Sequence, residues 1–234
     1  MAGLNRAYKR RPSMVAMNGD PVLCLDAGSK LSYPGSGTTW TDLSGNGNTG
    51  TLVNGPTFDS ANGGSLVFNG TNQYATTGSS LIPTSSSPYS VNCWVYRSTV
   101  PLSYCELLSN WGSSFSGNSF FLGFYGYSGI DNIRFTDSWS NSGVSVSTQI
   151  NKWFYLSGVS TVTNAYIYVN GQLAGTKGSG LSHSSTLPVV IGRQGELSGE
   201  YFPGKMTGIS IYNRALSATE ISTNFELLRG RYGI

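Results

Sequence analysis

The segment NAYIYVNGQLAG, residues 164–175, contains the clearest fold signal in the chain. Its apolar residues (Ala, Ile and Val of AYIYV) alternate with two tyrosines, which predicts a strand with one apolar face and one face of amphipathic rings. Asn170-Gly171 follows at once, and this pair favours the positive φ angles of a type I′ turn. The segment therefore predicts a β-hairpin.

Similar short runs recur on both sides of this hairpin, separated by turn residues. They are VLCLD (22–26), SLVFNG (65–70), QYATTG (73–78), YSVNCWVYRS (89–98), ELLSNW (106–111), SFFLGFYGY (119–127), NIRFTD (132–137), WFYLSGVS (153–160), PVVIGR (188–193) and MTGISIYN (206–213). About a dozen strands without helices between them indicate an all-β fold, an antiparallel β-sandwich of the jelly-roll kind.

One short helix is predicted near the C-terminus. Ser217 and Glu220 form a capping box, and the apolar residues of ISTNFELL (221–228) recur at helical spacing. Gly230 is predicted to end the helix as its C′ residue. We expect a basic N-terminal arm over residues 1–20, one sandwich domain over 21–228 and a tail over 229–234.

Composition supports a globular β protein. Of 234 residues, 31 are glycine, and only 11% are charged. Aromatic residues make up 12%, which argues against disorder. Because the three cysteines are an odd number in a fairly long chain, a disulfide framework is not expected, although a Cys93–Cys105 bridge stays open.

The net charge of +3 is unevenly distributed along the chain. Residues 1–11 contain Arg6, Lys9, Arg10 and Arg11 and no acidic residue, whereas the remainder has ten basic and eleven acidic side chains. Such an arm either binds an acidic partner or is a solvated tail. The apolar run MVAM (14–17) is too short for a signal peptide, so we expect synthesis in the cytosol and no membrane insertion.

The run WTDLSGNGNTG (40–50) resembles a signature of the concanavalin A-like, laminin-G-like jelly-roll superfamily. Further matching segments follow in the expected order: SLVFNGTNQYA (65–75), Cys93-Trp94-Val95, Lys152-Trp153-Phe154, the hairpin, VVIGR (189–193) and FPGKMTGISIYNRALSATEI (202–221). The resemblance covers roughly residues 22–225 and implies the fold, but not a ligand.

The ending NFELLRGRYGI (224–234) resembles the C-termini of laminin-G-like domains in structural proteins of tailed bacteriophages, those of cyanobacteria in particular. This resemblance implies a capsid decoration, fibre or tail protein that is located in the virion after synthesis in the host cytoplasm. We expect it to anchor to other virion proteins through its ends, by Arg6, Lys9, Arg10, Arg11, Arg229, Arg231 and Tyr232, and to form a homo-oligomer. Direct nucleic-acid binding is not expected, since no recognition element accompanies the arm.

Catalysis is not predicted. Glycoside hydrolases of this fold need two carboxylates about 5–5.5 Å or 6.5–9.5 Å apart across a sugar-sized cleft. No predicted strand has acidic residues two or four positions apart; Glu196 and Glu200 are four apart, but in a Gly/Ser-rich loop. The sequence also lacks a Gly-x-Ser-x-Gly elbow. A glycoside hydrolase is therefore only the third alternative.

Two binding sites are candidates. Asp42, Asn46 and Asn48 alternate in a glycine-rich loop and could offer oxygen ligands to a structural Ca²⁺, or only stabilise their own turn. Loop-borne aromatic and polar residues could instead bind a host surface glycan, which makes a lectin-like adhesion module the second functional alternative. The candidate glycan-binding residues are Trp111, Tyr125, Tyr127, Asp131, Asn132, Trp139, Glu200 and Tyr201.

Overall fold

The computed structural model describes residue 14 and residues 19–99, 104–110, 119–127, 130–137, 144–147, 150–195 and 199–234, without the side chains of 126–127, 130–131 and 144–146. Sixteen strands and one α-helix are described there. In chain order they are β1 (Leu23–Asp26), β2 (Thr39–Trp40), β3 (Gly50–Val53), β4 (Thr57–Asp59), β5 (Ser65–Asn69), β6 (Tyr74–Thr77), β7 (Tyr89–Arg97), β8 (Tyr104–Ser109), β9 (Phe121–Tyr127), β10 (Ile130–Thr136), β11 (Val144–Ser147), β12 (Lys152–Ser160), β13 (Ala165–Val169), β14 (Gln172–Lys177), β15 (Val190–Ile191), β16 (Pro203–Tyr212) and α1 (Ala218–Leu228).

The strands form two eight-stranded antiparallel sheets. Sheet A has the order β14-β13-β12-β7-β16-β5-β4, with β1 also paired to β16. Sheet B has the order β11-β10-β9-β8-β15-β6-β3-β2. Some neighbours in each sheet follow one another in the chain, whereas others, such as β7 and β16, are distant in sequence, so the chain crosses between the sheets. The predicted antiparallel β-sandwich with one short C-terminal helix is confirmed.

The main core lies between the sheets. Alternate residues of each strand face it, because successive side chains of a strand project to opposite faces. Sheet A contributes Val91, Leu156 and Ile209 and sheet B contributes Leu122 and Phe124, all fully buried. The predicted hairpin is present as well: β13 pairs with β14, and Asn170 and Gly171 have φ angles of 50° and 78°.

A second apolar cluster covers the outer face of sheet A. Helix α1 and the residues after it pack there, and the Tyr232 ring stacks on Trp94 with 4.2 Å between ring centroids. Met14, the first described residue, is buried in the same cluster. Both ends of the described chain are therefore packed against sheet A.

The helix begins as predicted but ends differently. The Ser217 side chain accepts from the Glu220 backbone N–H, and the Glu220 side chain accepts from the Ser217 backbone N–H, which completes the capping box. Gly230 follows the C-cap residue Arg229 and so lies at the predicted C′ position, but it does not have the left-handed φ of a glycine cap. The chain continues from α1 into a 3₁₀ turn over Arg229–Arg231, and Gly233 is the residue with a left-handed φ, 71°.

All three cysteines are buried and free. Cys93 lies on β7 of sheet A and Cys105 on β8 of sheet B, where both fill the core between the sheets. The alternative of a Cys93–Cys105 bridge is therefore not formed, and the two side chains act as small apolar groups.

Candidate functional site

The outer face of sheet B carries a patch of polar and aromatic side chains. Tyr104 on β8 is directly opposite Tyr125 on β9, which is opposite Asn132 on β10. Residues opposite each other in an antiparallel pair project to the same face. Their neighbours Cys105, Phe124 and Ile133 belong to the core, so this row projects away from it.

The same strands carry a cluster of charged side chains beside this row. Glu106 on β8 forms an ion pair through its Oε1 with Nη2 of Arg134 on β10. Oε2 of Glu200, in the loop before β16, lies 3.8 Å from the same nitrogen. The Glu106 and Arg134 side chains are 0% and 4% exposed, whereas Glu200 is 13% exposed. One buried guanidinium thus lies against two carboxyl groups, of which only Glu200 reaches solvent.

This arrangement raises the pKa of Glu200 to about 8. Burial is the main cause, and the neighbouring Glu106 carboxylate acts in the same direction, while Arg134 opposes both. Glu200 therefore holds its proton at neutral pH. A protonated carboxyl group can donate a hydrogen bond as well as accept one. A strongly shifted carboxyl group beside a second charged pair is typical of functional sites.

The backbone around the cluster is adapted to these carboxyl groups. Glu200 has φ 53° and follows Gly199 at φ 144°, and its carbonyl accepts from the Glu106 backbone N–H at 2.9 Å. Strain of this kind in a residue other than glycine persists where the surrounding structure enforces it. At Gly123, on β9 opposite Glu106, a Cβ atom would collide with Glu106 Oε2. Gly123 therefore provides the space for the buried carboxylate.

Two stacked tyrosines border the cluster. The ring centroids of Tyr104 and Tyr125 are 4.7 Å apart, and both side chains are half-buried. The Arg134 guanidinium lies 4.2 Å from the Tyr104 centroid and 4.9 Å from that of Phe121. Such contacts stabilise a buried cation and hold the rings in place. The result is a fixed aromatic platform beside hydrogen-bonding groups.

Three of the residues predicted to bind glycans meet on this surface: Tyr125, Asn132 and Glu200. Tyr201 follows Glu200 and is half-buried. Tyr127 and Asp131 lie in β9 and β10, but their side chains are outside the description, and Trp111 and Trp139 are outside the described residues altogether.

Sequence reasoning did not identify Tyr104, Glu106 and Arg134. The available signal was polar residues alternating with apolar ones, Tyr104 and Glu106 around Cys105, and Arg134 after Ile133. That alternation predicts which side chains project away from the core, but it does not predict which strands become neighbours in the sheet.

The predicted calcium loop is held by its own hydrogen bonds. Asp42 Oδ1 accepts from the backbone N–H groups of Cys24 and Ser44, both at 2.9 Å. Its Oδ2 accepts from the Ser44 hydroxyl at 2.7 Å and the Asn48 N–H at 2.9 Å. The amides of Asn46 and Asn48 donate to the carbonyls of Pro21 and Val22. A cation would have to replace these donors at Asp42, so calcium binding stays a prediction.

The residues predicted to anchor partners have different environments. Arg6, Lys9, Arg10 and Arg11 lie outside the described residues. Arg229 is exposed and pairs with Glu226. Arg231 is 8% exposed and pairs with the buried Asp26, and Tyr232 stacks on Trp94. Arg231 and Tyr232 thus hold the C-terminus on this chain's own sheet A.

No helix within the described ranges is long and apolar enough to cross a membrane.

No curated protein sequence matches the chain significantly. Solved structures do resemble it. The receptor-binding domain of botulinum neurotoxin type G aligns with a TM-score of 0.65 at 17% identity, covering 89% of this chain and 51% of that one.

Two further matches come from carbohydrate-active enzymes. Domain 4 of a GH43 extracellular arabinanase from Geobacillus stearothermophilus, solved in complex with arabinotriose, aligns with a TM-score of 0.64 at 16% identity, covering 88% of this chain and 98% of that one. Trypanosoma rangeli sialidase, in complex with 2,3-difluorosialic acid, aligns with a TM-score of 0.62 at 18% identity, covering 88% of this chain and 32% of that one.

The chain spans about half of the neurotoxin domain, a third of the sialidase and nearly all of the arabinanase domain. At these identities the likeness shows a shared fold alone. The family is shown by a sequence match to the family model Laminin_G_3, which covers residues 69–222, about two thirds of the chain. Together with the sandwich topology, this match means that the chain belongs to the concanavalin A-like lectin/glucanase superfamily.

Proposed function

We propose that the chain is a non-catalytic carbohydrate-binding domain whose ligand lies on the outer face of sheet B. The observation that carries this proposal is the half-buried stack of Tyr104 and Tyr125 beside Asn132 and Glu200. Sugar-binding sites combine an aromatic surface for the apolar face of the ring with a few polar groups for its hydroxyls. The structural neighbour with bound arabinotriose supports the same class of ligand.

Each group has a distinct role in this proposal. The Tyr125 ring packs against a sugar ring, and its orientation is held by the stack with Tyr104. Glu200, protonated at neutral pH, donates to a hydroxyl or ring oxygen, and the Asn132 amide supplies a donor and an acceptor. Because the Glu106–Arg134 pair is buried beneath them, it fixes these groups rather than contacting the ligand.

Binding is favoured over hydrolysis by the positions of the two carboxyl groups. A glycosidase places them on opposite sides of the scissile bond. Here Glu106 is fully buried, and both carboxyl groups lie against one nitrogen of Arg134. A glycosidic bond has no space between them in this arrangement, so we propose that the site holds a sugar without cleaving it.

A glycan array that includes neutral and acidic oligosaccharides tests the proposal. We expect at least one glycan to bind, and Tyr125→Ala to weaken that binding at least about tenfold, the effect of losing about 1.4 kcal/mol of contact. Tyr166→Ala is the matched control, since this half-buried tyrosine lies on β13 of the opposite sheet. Binding that is equally weakened by both variants, or release of reducing ends that Glu200→Gln abolishes, would contradict the proposal.

A second proposal concerns where the domain is displayed: on a tailed-phage particle, as a capsid decoration, fibre or tail protein. Four basic residues precede Met14, while the rest of the chain is nearly neutral. Met14 is buried on the outer face of sheet A, and its N–H lies 3.5 Å from Asp26 Oδ2. Met14, the described residue that follows the basic segment in sequence, therefore lies on the side away from the proposed glycan surface. With this arrangement the side of sheet A could attach to the particle while the side of sheet B faces outward and binds the ligand.

Mass spectrometry of purified virions tests this second proposal. We expect the protein in the particle, and we expect the quadruple change of Arg6, Lys9, Arg10 and Arg11 to Gln to reduce its incorporation severalfold, since the arm would lose its charge. Changing the three arginines to Lys keeps the charge and is the control. Absence of the wild-type protein from virions would overturn the proposal.

A further inference from the structure

Arg193 is held in a defined position on the outer face of sheet B. It follows β15, which lies between β8 and β6. The Gly192 N–H donates to the Leu107 carbonyl and the Gly192 carbonyl accepts from Phe202, both at 2.9 Å. The Arg193 carbonyl accepts from the Ser109 hydroxyl at 3.2 Å. The backbone at this position is thus fixed from both sides.

The guanidinium of Arg193 is fixed as well, but no acidic side chain that the structure describes neutralises it. Its Cζ lies 4.0 Å from the centroid of the Tyr74 ring, and its Nε is buried without a hydrogen-bond partner. By contrast, four other described arginines pair with carboxylates: Arg134, Arg214, Arg229 and Arg231. None of the carboxylates whose side chains are described lies within ion-pair distance of Arg193.

Arg193 also shares a surface with the proposed glycan site. Tyr74 immediately precedes Ala75, which belongs to the core, so the Tyr74 ring projects to the outer face of sheet B. The loop with Glu200 returns beside Arg193, because the Gln194 N–H donates to the Gly199 carbonyl. Arg193 is half-buried, which leaves part of its guanidinium accessible.

We infer that Arg193, positioned by Tyr74, binds the anionic group of an acidic sugar, a carboxylate or a sulfate, so that the glycan recognised by this domain is acidic. The inference rests on the proposed function and specifies its ligand class. A planar guanidinium binds such a group through two parallel hydrogen bonds. Because the guanidinium is already held against the Tyr74 ring, less side-chain conformational entropy is lost when it binds the ligand.

The charges nearby are compatible with an anionic ligand. Glu106 and Arg134 neutralise each other, and Glu200 is uncharged at neutral pH because burial and the Glu106 charge raise its pKa. The Coulomb attraction of Arg193 is therefore not cancelled by these carboxyl groups at pH 7. It is also strengthened by partial burial, since charges are less screened there than in open solvent.

The test uses an array in which each acidic oligosaccharide is printed beside its neutral counterpart: uronates beside their methyl esters and sulfated glycans beside desulfated ones. We expect the acidic member of the recognised pair to bind at least about tenfold more tightly, and Arg193→Gln to remove that preference. Lys177→Gln, which removes the same charge from the edge strand of sheet A, should leave the preference unchanged. Comparison of the two kinds of pair identifies carboxylate or sulfate as the anion.

The outcomes separate the two proposals. Equal binding of acidic and neutral partners, or a preference that survives Arg193→Gln, would overturn the inference while leaving glycan binding in place. Failure of every pair to bind would overturn the proposed function, and this inference with it. A normal thermal unfolding midpoint for Arg193→Gln shows that any lost preference is not caused by unfolding.

Discussion

Replacing Glu200 with Gln is expected to stabilise the protein at neutral pH. The folded state keeps the Glu200 carboxyl protonated, whereas the unfolded chain ionises it near pH 4.5. At pH 7 this carboxyl group is ionised in the unfolded chain and must bind a proton when the protein folds. That protonation costs about 2–3 kcal/mol of folding free energy. Glutamine is neutral and of similar shape, and its amide can both donate and accept a hydrogen bond, as a protonated carboxyl group can. The variant should therefore avoid this cost.

The pH dependence of the free energy of unfolding follows from the direction of the Glu200 pKa shift. A carboxyl group whose pKa is raised by folding contributes its full stability below its unfolded pKa, and that stability is lost as pH rises to the folded pKa. The wild-type free energy of unfolding should thus fall between about pH 4.5 and pH 8 relative to that of Glu200→Gln, and the difference should be constant above pH 8. Near pH 4 the two proteins should differ little.

Urea unfolding at pH 4.5, 7 and 8.5 measures this difference. Glu226→Gln is the matched control, because its side chain is 56% exposed and, among the described residues, pairs with the neighbouring Arg229. An exposed pair of this kind is worth under about 1 kcal/mol. If Glu200→Gln were less stable than wild type at pH 7, Glu200 would be ionised in the folded protein and the proposed hydrogen-bond donor would not exist.

Replacing Arg231 with Met is expected to destabilise the fold strongly. Arg231 Nη1 lies 3.2 and 3.0 Å from the two carboxylate oxygens of Asp26, and Nη2 lies 3.1 Å from Oδ1. The Asp26 side chain is 1% exposed. Methionine preserves most of the volume but leaves a buried carboxylate without its cation. Removing one partner of such a buried ion pair typically lowers the free energy of unfolding by about 3–5 kcal/mol.

Arg229→Met is the matched control, two residues earlier in the same turn. Its guanidinium is 46% exposed and pairs with Glu226, so the expected loss is below about 1 kcal/mol. Adding Asp26→Asn to Arg231→Met removes the unpaired charge and should restore part of the lost stability. Equal, small losses for Arg229→Met and Arg231→Met in urea unfolding would show that the C-terminal segment does not hold the sandwich together.

The positions of most strands could be predicted from the sequence, because a half-buried strand leaves a two-residue alternation that is visible locally. The Asn170-Gly171 turn and the Ser217 capping box are also local signals, and both are present. The strands β2, β3, β4 and β11 were not predicted. They have only two to four residues each, and so few residues show no clear period.

The candidate site was predictable only in part. Tyr125, Asn132 and Glu200 were identified one by one, as polar or aromatic residues near predicted turns. Their relation to Glu106 and Arg134 could not be predicted, because these two residues are 28 positions apart and meet only through the register of β8, β9 and β10. The backbone conformation at Gly230 could not be predicted for a similar reason. The segment after α1 continues into a 3₁₀ turn and packs on sheet A, where tertiary contacts outweigh the local preference for a glycine cap.

The sequence by itself determined the class of fold, the hairpin, the helix start and the separation of a basic arm from a nearly neutral domain. These properties depend on residues close together in the chain, whose periodicity and turn chemistry are readable directly. Only the tertiary structure decided that Arg231 is part of the fold, that Glu200 shares a guanidinium with Glu106, and that Arg193 has no acidic partner among the described side chains. The physical reason is that burial and charge pairing depend on which distant strands become neighbours, and that is set by the packing of the whole sandwich.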